Sequence, residues 1–372
     1  MELVFFMMKW LFIFTIFISN SVFSSVPEIN VKIAEKVRFL KISSSNDFDF
    51  YFLRGQEHKS TQKNLEFDCD FKVSDEQKTV MFASLEAKTE NQNLIFNNKS
   101  FGKHLKIATS KTHGCDLIQS IKISNYLGSL LAKEMNGSWP LEALKAQAVA
   151  ARSYAMDKIN KTQSSNFDII SGEIHQVSGS QEDVTEKTSK AVFDTQGEVL
   201  VNDEKLLVPG FYHAECGGKI LEPIDVWSGQ IFDYVSKDCP YCHHKSRQKK
   251  WTKKISFENL KKFIKKFFGD EIENIEKISM INSESIHLKI NGKNYIFLPS
   301  EFRKNMLSLK LKSNNFKFEI DENNKKIEII GAGRGHGVGM CQLGALKMAE
   351  LGFNYREILK FYYPKLNIKK VY

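Results

Sequence analysis

Three stretches of this sequence hold side chains at spacings that suit chemistry: a glutamate within an apolar helical stripe, a cysteine pair two residues apart, and a histidine set between glycines. In SNYLGSLLAKEMNG, Leu127, Leu130, Leu131 and Met135 recur at i, i+3, i+4 and i+8, which defines a buried helix face. Glu134 lies seven residues beyond Leu127, and at roughly 100° per residue it falls inside that stripe. Desolvation presses a carboxyl held there toward its protonated form, the state a general acid needs at neutral pH. The alternative is an ion pair with Arg152 or Lys145 from the next segment. That segment, WPLEALKAQAVAARSYAMDKI, leaves almost no polar face. Gln147, Arg152 and Tyr154 are therefore embedded in a crowded interior and need partners.

The cysteines divide into two sets. Cys69 and Cys115 suit a disulfide. Cys239-Pro-Tyr-Cys242 has the C-x-x-C spacing that places two thiolates on one tetrahedral zinc. The nearest further soft ligands are His213 and Cys216 in YHAECGG, so the expected set is His213, Cys216, Cys239 and Cys242 around a structural zinc. His243 or His244 could take the fourth place. A disulfide from Cys216 to one of the pair is the competing reading.

The glycines of IIGAGRGHGVGMCQLGALKMAELG follow a strand-like run and precede a helical one. A dinucleotide cradle would require a further parallel strand with an acidic residue about 20 residues on. What remains of the chain reads as one helix and a Tyr-Tyr-Pro turn, so the cradle is set aside. Glycines also let backbone approach a ligand closely. His336 and Gln342 are therefore candidate substrate contacts, with a packing role for His336 as the alternative, and Arg152 could pair a ligand carboxylate. Thiol chemistry at Cys341 lacks any visible orienting group.

These residues must be held by a mixed framework. Residues from Ile29 to about Cys115 alternate in the manner of strands, while SNYLGSLLAKEMNG and the alanine-rich run after it are helical. AVFDTQGEVLVNDEKLLVPGFYH reads as paired strands, Phe257 to Phe268 as a basic amphipathic helix, and KISMINSESIHLKINGKNYIFLP as a hairpin around Asn-Gly. The expectation is an α+β fold: a leader over 1–24, a β-rich domain over 25–115, and a main domain over 116–372 with an insertion at about 250–312. Lys9 and the apolar run Trp10 to Ile18, too short to span a bilayer with comfort, read as a signal peptide or, less simply, an uncleaved anchor. Export to the periplasm, envelope or medium follows, with membrane contact only if the segment stays. The net charge of +9 fits an anionic partner or a plain basic surface, and no nucleic-acid module is visible.

NYLGSLLAKEMNGSWPLEALKAQAVAARSYAM and GRGHGVGMCQLGALKMAELGFNYREILKFYYP resemble the hallmark and closing segments of the SpoIID/LytB family of cell-wall proteins. AVFDTQGEVLV, GFYHAECGG, CPYC and FRKNMLSLKLKSNNF resemble family blocks in the family's order, so the likeness runs from about Asp116 to Tyr372. The resemblance implies a peptidoglycan lytic transglycosylase with Glu134 as acid and then base, cleaving MurNAc–GlcNAc strands, chiefly peptide-stripped ones, to 1,6-anhydro ends without any required cofactor. It equally implies a second role: a non-catalytic module that binds the wall and stimulates an amidase or another hydrolase. Asn136, Cys341 and Leu343 depart from the family's usual proline, serine and aromatic.

Overall fold

The computed structural model describes residues 26–372 apart from 53–59, 70–72, 76–77, 81–83, 90–92, 110–113, 163–165, 172–182, 228–232, 243–249, 270–274, 282–284 and 322–325. The leader expected over 1–24 and the histidines at 243 and 244 lie outside the described residues. Among those described, no helix is long and apolar enough to cross a membrane. The architecture is α+β, with seven helices and several sheets among the described residues.

The largest sheet has nine strands. Its order runs Ile169–Ile170, Glu28–Val37, Cys115–Lys122, His104–Thr109, Ser84–Lys88, Phe39–Phe52, Ile95–Phe96 and Lys99–Ser100, with Ser60–Asp68 also paired to Phe39–Phe52. The disulfide Cys69–Cys115 ties its leading half. The strand Cys115–Lys122 runs straight into the first helix, α1 (Ile123–Glu134). The leading sheet thus reaches Lys122, seven residues past the boundary expected at 115. Ile29 and Val31 on its inner face share one core with α1 and with α2 (Leu141–Lys161).

Leu127, Leu130 and Leu131 are fully buried, as their spacing requires, each adding about 1.5–3 kcal/mol. Helix α2 is enclosed on nearly every side because its alanines allow close approach: its Ala143, Ala148, Ala151 and Ala155 face the first core, and Ala146, Val149 and Ala150 face a second. The second core holds helices α6 (Gln342–Glu350) and α7 (Tyr355–Tyr362).

AVFDTQGEVLV is half helix. Thr185 starts α3 (Glu186–Asp194) with a capping box, so Ala191 to Asp194 are helical and only Glu198–Val201 is a strand, paired with Asn367–Lys370. Residues 251–331 form the insertion around its own core, with α4 (Phe257–Phe268) and α5 (Pro299–Asn305). Its hairpin turns at Asn291 and Gly292, both at positive φ as a two-residue turn demands. The unit ends at Gly331, not 312, because Phe316–Asp321 and Lys326–Gly331 complete its sheet with Trp251–Ser256.

Candidate functional site

Glu134 closes α1. Met135 leaves the helix in an extended conformation and is itself buried, so the apolar stripe carries on through Met135 while Glu134 stands half-exposed beside it. The carboxyl is therefore not sealed in the core as the helical wheel suggests; the helix ends where the wheel would have enclosed it. Its charge is felt by the buried Tyr126 on the same helix. Burial, then the charge of Glu134, then Tyr154 push the Tyr126 hydroxyl well above the usual tyrosine range. Both cations offered as ion-pair partners are occupied elsewhere. Lys145 binds Glu142 and Asp194 at 3.0 and 3.1 Å, and Arg152 turns toward α3.

From Tyr154 a row of rings leads to the glycine loop. Tyr154 meets Phe211 edge-on at 5.9 Å between centroids, Phe211 meets Trp227 at 4.8 Å, and Trp227 meets His336 at 5.0 Å. Phe211, Trp227 and His336 are each partly exposed, so the row offers ring surface along one wall. Trp227 follows a short 3-10 turn begun by Pro223, and no sequence spacing marks it out.

The loop is built by pairing distant segments. Tyr212–His213 lies parallel to Met340–Cys341, Leu221 donates to the Gly337 carbonyl at 2.9 Å, and Glu215 and Arg334 exchange backbone bonds. A Cβ on Gly339 would sit on the Phe211 carbonyl, which already accepts from the Met340 N–H, and its φ of 71° suits glycine. The insertion fastens the loop from outside. Arg303 donates to the Gly335 carbonyl at 3.1 Å and Asn314 to the His336 carbonyl at 3.1 Å. Arg303 and Asn314 sit in the FRKNMLSLKLKSNNF block, whose likeness marked it without assigning either residue a task.

Of the three expected substrate contacts, Arg152 and Gln342 face inward, and His336 spends both ring nitrogens within the chain. The His336 Nδ1 accepts the Val338 N–H at 3.1 Å and Nε2 lies 2.8 Å from the Tyr212 carbonyl, which together define the Nε2–H tautomer. Both ring nitrogens are thus used within the chain, leaving the ring itself to face the wall. Desolvation, with His213 adding to it, lowers the His336 pKa to about 3. Arg152 is 1% exposed and bonds the Val192 and Glu198 carbonyls and Thr195, so its cation caps the carbonyl end of α3 and not a ligand carboxylate. Gln342 is buried and donates to Gln147 at 3.4 Å, so it joins α6 to α2 and does not reach a cleft.

The sulfur cluster also differs from expectation. Cys216, Cys239, Cys242 and Cys341 are all buried, with their sulfurs within 4.8 Å of one another. His213 is outside it. Its Nδ1 is 3.0 Å from the Val338 carbonyl, and burial lowers its pKa to about 4. The parallel pairing explains the exchange: it places Cys341 next to His213, with the sulfur on the side where Cys216 comes round. Within the cluster, hydrogen bonds from Cys216 and then Cys242 hold the Cys239 thiol well below the usual thiol range. An odd count of three neighbouring cysteines was the one sequence sign that a further sulfur belonged here.

Fold and site together define a mixed α+β protein in which an aromatic wall adjoins a glycine loop beside four buried cysteines, while the carboxyl-bearing helix α1 packs on α2. The family described as stage II sporulation protein, SpoIID, matches residues 111–202. An uncharacterized protein of Brachyspira hyodysenteriae is 32% identical over 259 residues, 68% of each chain. Stage II sporulation protein D of Bacillus subtilis is 26% identical over 278 residues, covering 68% of this chain and 76% of that protein. The amidase enhancer of Bacillus subtilis is 26% identical over 292 residues, which cover 64% of this chain and 39% of the enhancer's length. The chain belongs to the SpoIID family.

Proposed function

We propose that this protein is an exported peptidoglycan lytic transglycosylase with Glu134 as its single acid and base. Family membership supports a cell-wall-related role. The observation that carries the finer reading is the position of Glu134: half-buried at the end of α1 and electrostatically coupled to Tyr126, which also feels Tyr154, the ring that meets the partly exposed row Phe211, Trp227 and His336. Aromatic faces suit the apolar faces of sugar rings, and a half-exposed carboxyl suits proton transfer to a glycosidic oxygen. Glu134 protonates the oxygen leaving from the MurNAc C1. The carboxylate then takes the proton of the C6 hydroxyl as that oxygen closes on C1, which gives a 1,6-anhydro end. No water enters and no second carboxylate is needed, unlike a two-carboxylate hydrolase. The disulfide Cys69–Cys115 supports an oxidising compartment outside the cytoplasm.

The similarity to a protein named amidase enhancer favours a second reading, a wall-binding partner of a hydrolase that cuts no glycan itself. One experiment separates them. Purified protein is incubated with peptide-stripped glycan strands and the products are read by mass spectrometry. Anhydro-MurNAc ends with the native chain and none with Glu134→Gln support the enzyme. Intact strands that co-sediment with the protein, together with faster cleavage by an added amidase, support the enhancer.

A further inference from the structure

We propose that Cys216, Cys239, Cys242 and Cys341 form a four-sulfur site for one zinc ion, and that this ion locks the glycine loop against the aromatic wall. The inference does not depend on the proposed activity. Four buried thiols in one chain are unusual company for a disulfide elsewhere in that chain, because a compartment that oxidises Cys69 and Cys115 also oxidises neighbouring free thiols. Ligation to zinc would protect all four from that oxidation. A tetrahedral ion with bonds of about 2.3 Å separates its ligand sulfurs by roughly 3.8 Å. The observed set, with Cys216 and Cys242 3.2 Å apart and every pair within 4.8 Å, surrounds a space of that size.

The surroundings suit thiolates. The Cys341 sulfur accepts the backbone N–H of Cys216 and of Gly344, each at 3.4 Å, the second from the first turn of α6, where Cys341 is the N-cap. The Tyr362 hydroxyl lies 3.4 Å from the Cys239 sulfur and can donate to it. Such donors spread the charge of an anionic sulfur cluster and orient its ligands. Binding is balanced as four thiols plus Zn²⁺ giving one tetrathiolate and four released protons, with no electron transferred.

Three separate segments meet at the ion. Cys216 follows the strand that carries His213, Cys239 and Cys242 come from the turn after Lys237–Asp238, and Cys341 joins the glycine loop to α6. The strand pairings between these segments are only two residues long, backed by single backbone hydrogen bonds such as Leu221 to Gly337 and Cys239 to Gly218. A shared ion would add a covalent tie where the ladders are shortest.

The test is metal analysis of the mature protein purified without an affinity tag that binds metal. We expect one zinc per chain by inductively coupled plasma mass spectrometry. With the metal in place, the four cysteines resist thiol reagents until a chelator is added. Replacement by cobalt should give the absorption of a tetrahedral all-sulfur site, a reading that needs no variant and so stands even if Cys341→Ser fails to fold. In folded variants, His213→Ala keeps the zinc and Cys341→Ser loses it. Absence of metal with the four cysteines paired as disulfides would overturn the proposal. So would a cobalt spectrum of three sulfurs and one nitrogen.

Discussion

The Nε2 of His336 lies 2.8 Å from the carbonyl oxygen of Tyr212, so this histidine spends its one N–H on the strand that carries the neighbouring His213. The consequence is a pH dependence of stability. His336 is held neutral down to about 3, while an unfolded chain binds that proton near 6.5. Its contribution is therefore complete above pH 6.5 and is lost progressively as pH falls from 6.5 toward 3. The loss is about 1 kcal/mol per pH unit, once the ring's exposed edge is allowed for. His336→Gln keeps a donor and an acceptor but cannot titrate. Urea unfolding of both proteins at neutral and mildly acidic pH should show the native chain losing more than the variant. Parallel losses would mean that the ring is protonated in the folded state.

Glu134→Gln should leave unfolding free energy within about 0.5 kcal/mol, since the side chain is half-exposed at a helix end. Loss of the proton donor should reduce glycan cleavage by about 10²–10⁴-fold or more. A variant that retained full cleavage would remove Glu134 from the chemistry. One that unfolded would recast it as a structural residue.

Arg152 tests the opposite assignment. Its guanidinium bonds Val192, Thr195 and Glu198 with almost no solvent contact. Arg152→Met should cost about 3–5 kcal/mol, because the carbonyls at the end of α3 lose their donor inside the fold. Denaturant midpoints measure this directly. Unchanged stability with weakened glycan binding would return Arg152 to the substrate.

Much of this arrangement was legible in the chain. The leucine stripe of α1, the basic helix Phe257–Phe268, the Asn-Gly hairpin and the Cys69–Cys115 bridge all rest on local spacing or simple pairing, and each is present. What escaped depends on tertiary pairing. Cys341 joins the sulfurs because Met340–Cys341 lies parallel to Tyr212–His213 across 128 positions, which no local pattern encodes. The sequence marks Arg152 as an embedded polar group in need of partners, and His336 and Gln342 as substrate contacts, with packing the alternative for His336. The sequence could not say whether those partners were a sugar or the chain's own carbonyls, and the fold supplies carbonyls or, for Gln342, another amide. Trp227 has no periodic signature at all, since it stands in a turn.

Gly344 gives the last test, because general propensity and local packing predict opposite signs. Within a helix, Gly→Ala normally stabilises by roughly 0.5–1 kcal/mol through reduced backbone entropy. Here a Cβ would collide with the Tyr362 hydroxyl and press on the Cys239 sulfur at 3.3 Å. Tyr362 is fully enclosed in the core of α2, α6 and α7, so it has no free direction in which to retreat. Gly344→Ala should therefore destabilise by about 1–3 kcal/mol, as overpacking does. Tyr362→Phe removes the oxygen in the way. The double variant should recover part of that loss, giving a coupling energy of about 0.5–3 kcal/mol in a double-mutant cycle. Thermal or urea unfolding of the four proteins reads this out. Strict additivity would show that α6 shifts to accommodate the methyl, and that the contact between α6 and α7 at the sulfurs is looser than the geometry indicates.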